Sequence, residues 1–244
     1  MMKKFKHPLK VGAVSLLALS LSACFHSEDD DDEHMHSMDA SYRVTISNIT
    51  NGQPLTPAAV VIHKSGYSAW SLGSAASSGL EKLAESGETT DFIAEAAANA
   101  NVVSSDVAGT GPFSPGSSAM VEIMAAHSSD LQLSIASMLA NTNDAFTGMK
   151  AVDIGEMAAG DSMTMMSHVF DAGTEANTEA SGTIAGPVDT STGDKAYNSA
   201  RDDLHDFVSI HAGVVTMDDG LTTSILDESH RWNGVAAKIV IERL

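Results

Sequence analysis

Asp171 and Glu175 stand four residues apart across a glycine, in Phe170-Asp171-Ala172-Gly173-Thr174-Glu175, where an apolar run from Met163 to Phe170 ends. A third acid, Asp144, lies 27 residues upstream in Asn141-Thr142-Asn143-Asp144-Ala145-Phe146-Thr147-Gly148. Hard oxygen donors on loops at strand ends are the chemistry of a Ca²⁺ site. Three carboxylates on one Ca²⁺ leave roughly three to five positions for backbone oxygens and water. Thr174 and the loop carbonyls are the natural donors for those positions. Gly173 lets the backbone curl so that Asp171 and Glu175 point the same way. Neither motif contains His or Cys, which disfavours zinc. The same residue types also suit plain turns, because Asp caps turns and Gly occupies them.

Other clusters have ligand chemistry but weaker patterns. Asp202-Asp203-Leu204-His205-Asp206, Asp218-Asp219-Gly220 and Asp227-Glu228-Ser229-His230 read as solvated loops. His63 ends an apolar strand, and His127 and Asp130 flank a turn. Met163-Thr164-Met165-Met166 offers sulfur for copper, although Met at strand spacing is more often core filler. The chain has no Gly-x-Ser-x-Gly elbow, no His-Glu-x-x-His and no phosphate loop. The expectation is therefore a protein that is not an enzyme, with a spatial Ser-His-Asp triad left open because those residues are abundant.

The elements that must position the acids follow from periodicity. Tyr42 to Thr50 reads as a strand ended by Asn51-Gly52, and Ala58 to His63 as a short apolar strand. Leu80 and Leu83 suggest a helix over 79–85, and Thr89-Thr90-Asp91 can cap a second one through Ala98. Val102-Val103 begins an extended piece. Alternation over 120–125 and 131–138 gives two strands, and the Ser128-Ser129-Asp130 link suggests a hairpin between them. Residues 149–154, 163–170 and 235–242 are further strand candidates, with an irregular Gly, Ser, Thr, Asp and Asn-rich stretch over 176–233. Many short strands and few helices favour a mainly β fold, an antiparallel β-sandwich with one or two short helices.

The N-terminus reads as export machinery. Lys3, Lys4, Lys6 and Lys10 precede an apolar run from Val11 to Leu21, too short for a bilayer core of roughly 30 Å. The run closes as Leu21-Ser22-Ala23-Cys24, which resembles the bacterial lipoprotein signal and makes Cys24 the lipidated residue. The expected organisation is a signal over 1–23, an acidic linker over 24–41 and a folded domain over 42–244. Phe25 is not the Asp that retains lipoproteins at the inner membrane, so the expected location is the outer membrane, facing the periplasm or the cell surface. Removing the four signal lysines takes the formal charge from −19 to −23. Such a surface excludes nucleic acid as a partner, since phosphates attract Lys and Arg, and favours divalent cations. Few aromatics argue against a stacking platform for sugars or bases. The linker itself, with Glu28 to Glu33 and then His34-Met35-His36, is a solvated spacer or a loose cation scavenger. One Cys leaves no intramolecular disulfide, so the domain rests on its core and any bound ion.

Several segments converge on one family. They are Thr50-Asn51-Gly52-Gln53-Pro54-Leu55-Thr56-Pro57 with Val61-Ile62-His63, Leu80-Glu81-Lys82-Leu83-Ala84-Glu85-Ser86-Gly87, Ser137-Met138-Leu139 before Asn143-Asp144-Ala145-Phe146-Thr147-Gly148, and Asp171-Ala172-Gly173-Thr174-Glu175. Together they resemble the spondin domain, named for the N-terminal region of F-spondin, over about residues 42–244. The resemblance implies a C2-like sandwich, similar to the synaptotagmin-type calcium/lipid-binding domain, and a bound Ca²⁺. It implies Asp144, Asp171 and Glu175 as metal ligands. Two departures stand out: Ala145 replaces an aromatic after Asp144, and Glu175 replaces an Asp. The expected function is adhesion or contact with a protein or polysaccharide by a membrane-anchored Ca²⁺-binding domain. The alternatives are a periplasmic metal-dependent hydrolase and transition-metal sequestration by the His/Met/acidic tail.

Overall fold

Side chains that alternate between apolar and polar build most of this molecule. The computed structural model describes residues 39–193, 195–201 and 206–244. The signal, Cys24, nearly all of the acidic linker and the Asp202–His205 cluster lie outside the described residues. The described residues belong to one compact unit, Ser37–Leu244.

Strands β1 (Asp39–Asn48) and β4 (Ser118–Ala126) bury every second residue, Ala40, Tyr42, Val44 and Ile46 on one and Ala119, Val121, Ile123 and Ala125 on the other. β2 (Ala58–His63) is buried along its whole length and β5 (Gln132–Met138) nearly so. β3 (Val102–Ala108), β6 (Ala145–Asp153), β7 (Ser162–Asp171), the short β8 (Ser209–Ile210) and β9 (Val235–Arg243) complete the set. All pair antiparallel on one path, β3-β2-β5-β6-β7-β9-β1-β4, with β8 on β7. The path curls until its two edge strands, β3 and β4, lie against each other. Among the described residues the fold is mainly β, as the alternation predicts, with two short helices.

The inner face of the curled sheet holds Tyr42, Ile46, Leu55, Ile62, Leu133, Ile135, Val169, Ile239 and Ile241. Each such side chain contributes about 1.5–3 kcal/mol on burial. The helices α1 (Ser78–Ser86) and α2 (Thr90–Ala97) cover part of the other face. Leu80, Leu83 and Phe92 pack there on Val61, Ala136, Phe146 and Trp70. α1 is capped by Ser77, whose side chain accepts from Leu80 N–H, and stops at Gly87 in the left-handed conformation.

One expectation fails. β4 and β5 are consecutive but do not form a hairpin. β4 pairs with β1 from Asp39↔Ala126 to Ser47↔Ser118, while β5 has both edges taken, by β2 and β6. Period-2 alternation identifies a strand and its buried face without naming its neighbour. β5 also lacks the polar face expected of it, because the sheet core lies on one side and the helix layer on the other.

Candidate metal centre

The antiparallel register of β6 and β7 decides where the acids meet. Ala145 sits opposite Asp171 and Phe146 opposite Phe170. Asp144, one residue before β6, therefore lies at the same end as the Asp171–Glu175 segment that leaves β7. Ala172 N–H donates to the Asp144 carbonyl at 3.2 Å. Beneath them Trp70, Phe146 and Phe170 form a triangle of rings 5.1–5.4 Å apart. Ala145 itself is buried, and the adjoining aromatic packing comes from Phe146 and Trp70.

Asp144 is fully buried. Its Oδ2 accepts the backbone N–H groups of Thr174 at 2.8 Å and Glu175 at 3.1 Å. Its Oδ1 is buried with no hydrogen-bond partner among the described residues. Burial, then the Asp171 charge, pushes the Asp144 carboxyl up to about 7 against the pull of those two N–H groups.

Asp171 closes the turn. Its Oδ1 accepts Gly173 N–H at 2.8 Å, and its Oδ2 accepts the Asn177 side-chain amide at 2.6 Å. Gly173 has φ +72°, and a Cβ there would lie 2.4 Å from the Phe207 carbonyl oxygen. Both conditions demand glycine.

Glu175 is 2% exposed. Its Oε2 lies 3.4 Å from the Asn143 amide donor, and its Oε1 lies 2.6 Å from the Arg201 guanidinium. Burial and the nearby Glu85 charge push it up to about 8, with Arg201 and Asn143 opposing. A cavity of about 180 Å³ opens beside it, lined by Asn143, Glu175, Ala176, Thr178, Thr183 and Arg201.

The fold thus brings the three predicted acids to one place but gives them separate partners. Among the described residues, no three His, Cys, Asp or Glu side chains are arranged to hold a metal ion as they stand. Asn177 and Gly173 N–H hold Asp171, and Arg201 holds Glu175. The metal-ligating atoms of the three acids are all oxygens, and one of them, the buried Asp144 Oδ1, has no hydrogen-bond partner among the described residues. That is hard-cation chemistry.

Sequence reasoning missed four neighbours: Asn143, Glu85, Arg201 and His211. Arg201 and His211 are far from the motifs in sequence, and only the fold delivers them. His211 Nε2 lies 4.0 Å from Asp171 Oδ2, while its Nδ1 accepts Gly213 N–H at 3.0 Å. That acceptor role assigns the proton to Nε2, facing Asp171. Burial lowers the pKa of His211, with Asp171 opposing.

The remaining predicted clusters are structural. Asp219 caps the turn Met217–Asp219 through Thr216, and Asp227 caps the turn Glu228–His230. Asp130 binds Ser128 and Lys64, and His127 Nδ1 lies 3.4 Å from Arg243. Met163 and Met165 pack on the core, while Met166 is exposed. His63 Nε2 meets Ser134 Oγ at 2.8 Å, a nucleophile-and-base pair in residue types. Both are buried to within 1%. Ser134 Oγ also accepts Ala151 N–H at 3.1 Å, where β5 and β6 slip register. This pair staples a β-bulge in the interior of the sheet.

The Spondin_N family model matches residues 51–192, more than half of the chain. No curated protein matches it. The matched span includes Asp144, Asp171, Glu175 and Glu85 but stops before β9, which lies between β7 and β1 in the sheet. The chain belongs to the spondin N-terminal domain family.

Proposed function

We propose that this protein binds Ca²⁺ at the β6–β7 end through Asp144, Asp171 and Glu175, and acts without catalysis as a membrane-anchored adhesive domain outside the cytoplasm. The observation that carries the reading is Asp144 Oδ1, a buried carboxylate oxygen with no partner among the described residues, beside two further acids. An isolated buried charge is costly unless paired or bound to a metal. An ion supplies the missing partner and ties the loop before β6 to the loop after β7. In a chain with a single Cys, no intramolecular disulfide can do that. Cys24 and the acidic spacer supply the anchor and the distance from the membrane. The partner class is a protein or polysaccharide, since the chain's formal charge of −19 repels nucleic acid.

Thermal unfolding in EDTA, Ca²⁺ and Mg²⁺ tests the reading. Ca²⁺ stabilises the native state by RT ln(1 + [L]/Kd), so the melting temperature rises with Ca²⁺ concentration. Mg²⁺, which demands tighter octahedral geometry and sheds water reluctantly, raises it less. Equal curves in EDTA and Ca²⁺ would remove the proposal.

A further inference from the structure

Glu85 is out of place by ordinary electrostatics. It sits in the last turn of α1, where the helix dipole disfavours an acid, and no basic residue stands in that turn. It is 1% exposed, and its Oε1 is buried with no hydrogen-bond partner among the described residues. Its Oε2 accepts Asn198 N–H at 3.0 Å. The same short turn reaches the centre described above: Arg201 N–H donates to the Asn198 carbonyl at 2.9 Å, and the Arg201 guanidinium lies 2.6 Å from Glu175 Oε1. One turn therefore holds Glu85 and Glu175 together, and Asp144 receives Glu175 N–H.

Three buried carboxylate oxygens, Glu85 Oε1, Asp144 Oδ1 and Glu175 Oε1, have no hydrogen-bond partner among the described residues, the last facing Arg201 only as an ion pair, and the three acids lie within electrostatic reach of one another. From this we infer that Glu85 is a fourth carboxylate of the Ca²⁺ site, supplied by the helix layer rather than by the β6–β7 loops. The inference rests on the proposed Ca²⁺ reading and extends it. The ion then joins three parts of the fold, α1, the loop before β6 and the loop after β7. A fourth negative charge raises the affinity for a divalent cation, because ligand charge count tunes Ca²⁺ binding. The same charge destabilises the metal-free state through repulsion and burial.

Calorimetric Ca²⁺ titration of the full protein, with melting temperatures in EDTA, tests this on Glu85→Gln. The amide keeps an acceptor for Asn198 N–H and removes the charge. Glu85→Gln is expected to weaken Ca²⁺ by about tenfold or more and to raise the melting temperature in EDTA. A merely structural Glu85 would lower it. Glu95→Gln is the control for the helix pair, because Glu95 Oε1 accepts Gly79 N–H and Glu95 is exposed. It is expected to leave Ca²⁺ affinity unchanged. A folded Glu85→Gln that binds Ca²⁺ as tightly as the parent overturns the inference, and so does a Glu85→Gln that melts lower in EDTA. A parent protein that gives no Ca²⁺ heat removes the underlying reading itself.

Discussion

The guanidinium of Arg201 lies 2.6 Å from Glu175 Oε1, the one cation paired among the described residues with the three predicted acids. Glu175 is 2% exposed, so this contact neutralises a buried charge. A divalent ion in the same place would compete with it.

Replacing Arg201 with Gln therefore separates two effects. At pH 8 the metal-free protein is expected to lose about 3 kcal/mol, the scale of a buried ion pair that loses one partner. Ca²⁺ affinity is expected to rise several-fold because the internal competitor is gone. Urea unfolding and calorimetry read both, and a fall in Ca²⁺ affinity would contradict the competition.

A pH dependence follows from Asp144 and Glu175. Their ordinary values of 3.8 and 4.5 rise to about 7 and about 8 in the folded protein. A raised carboxyl favours the native state fully below the unfolded value, and that contribution is lost as pH rises through the folded value. The metal-free protein is therefore expected to lose stability, by roughly 6 kcal/mol at most, between pH 5 and 8. Ca²⁺ needs the carboxylates ionised, so its affinity rises over pH 6 to 8 and binding releases protons. Melting curves in EDTA across that range check the first claim. A stability that climbs with pH in EDTA would refute it.

Gly173→Ala strains a left-handed position and drives a methyl group to 2.4 Å from the Phe207 carbonyl. Left-handed backbone alone costs roughly 1–2 kcal/mol for a residue with a Cβ. The expected loss is about 2–4 kcal/mol in total, with weaker Ca²⁺ binding because Thr174 and Glu175 N–H lose their register on Asp144. Denaturant midpoints measure it, and a loss below about 1 kcal/mol would show that the turn relaxes freely.

Ser134→Ala addresses the serine-histidine pair, the spatial triad that the sequence left open. It leaves Ala151 N–H and His63 Nε2 without their partner. The expected cost is about 1–3 kcal/mol in stability, with any Ca²⁺ binding unchanged. Ester hydrolysis present in the parent and abolished in the variant would instead make Ser134 a nucleophile.

Much of this was legible in the chain. Alternation over 120–125 and 131–138 marks real strands, and Asp144, Asp171 and Glu175 do meet. They meet because their motifs flank two strands that the fold pairs antiparallel, a fact that neither spacing nor composition contains. The β4–β5 hairpin failed for the same reason. Glu85 left a legible trace: an acid beside buried Leu83 and Ala84, at the dipole's negative end, just before the Gly87 cap. Arg201 and His211 left none, since their approach depends on how the irregular 176–233 stretch returns across the sheet.

The central claim is the ion at Asp144. Calorimetric titration of the metal-stripped protein with Ca²⁺, in parallel with Asp144→Asn, tests it most directly. The account predicts a saturable heat with one Ca²⁺ per chain in the parent and none in Asp144→Asn, which keeps the shape but loses the charge at the unpartnered Oδ1. No heat in the parent, or the same isotherm in the variant, would contradict it.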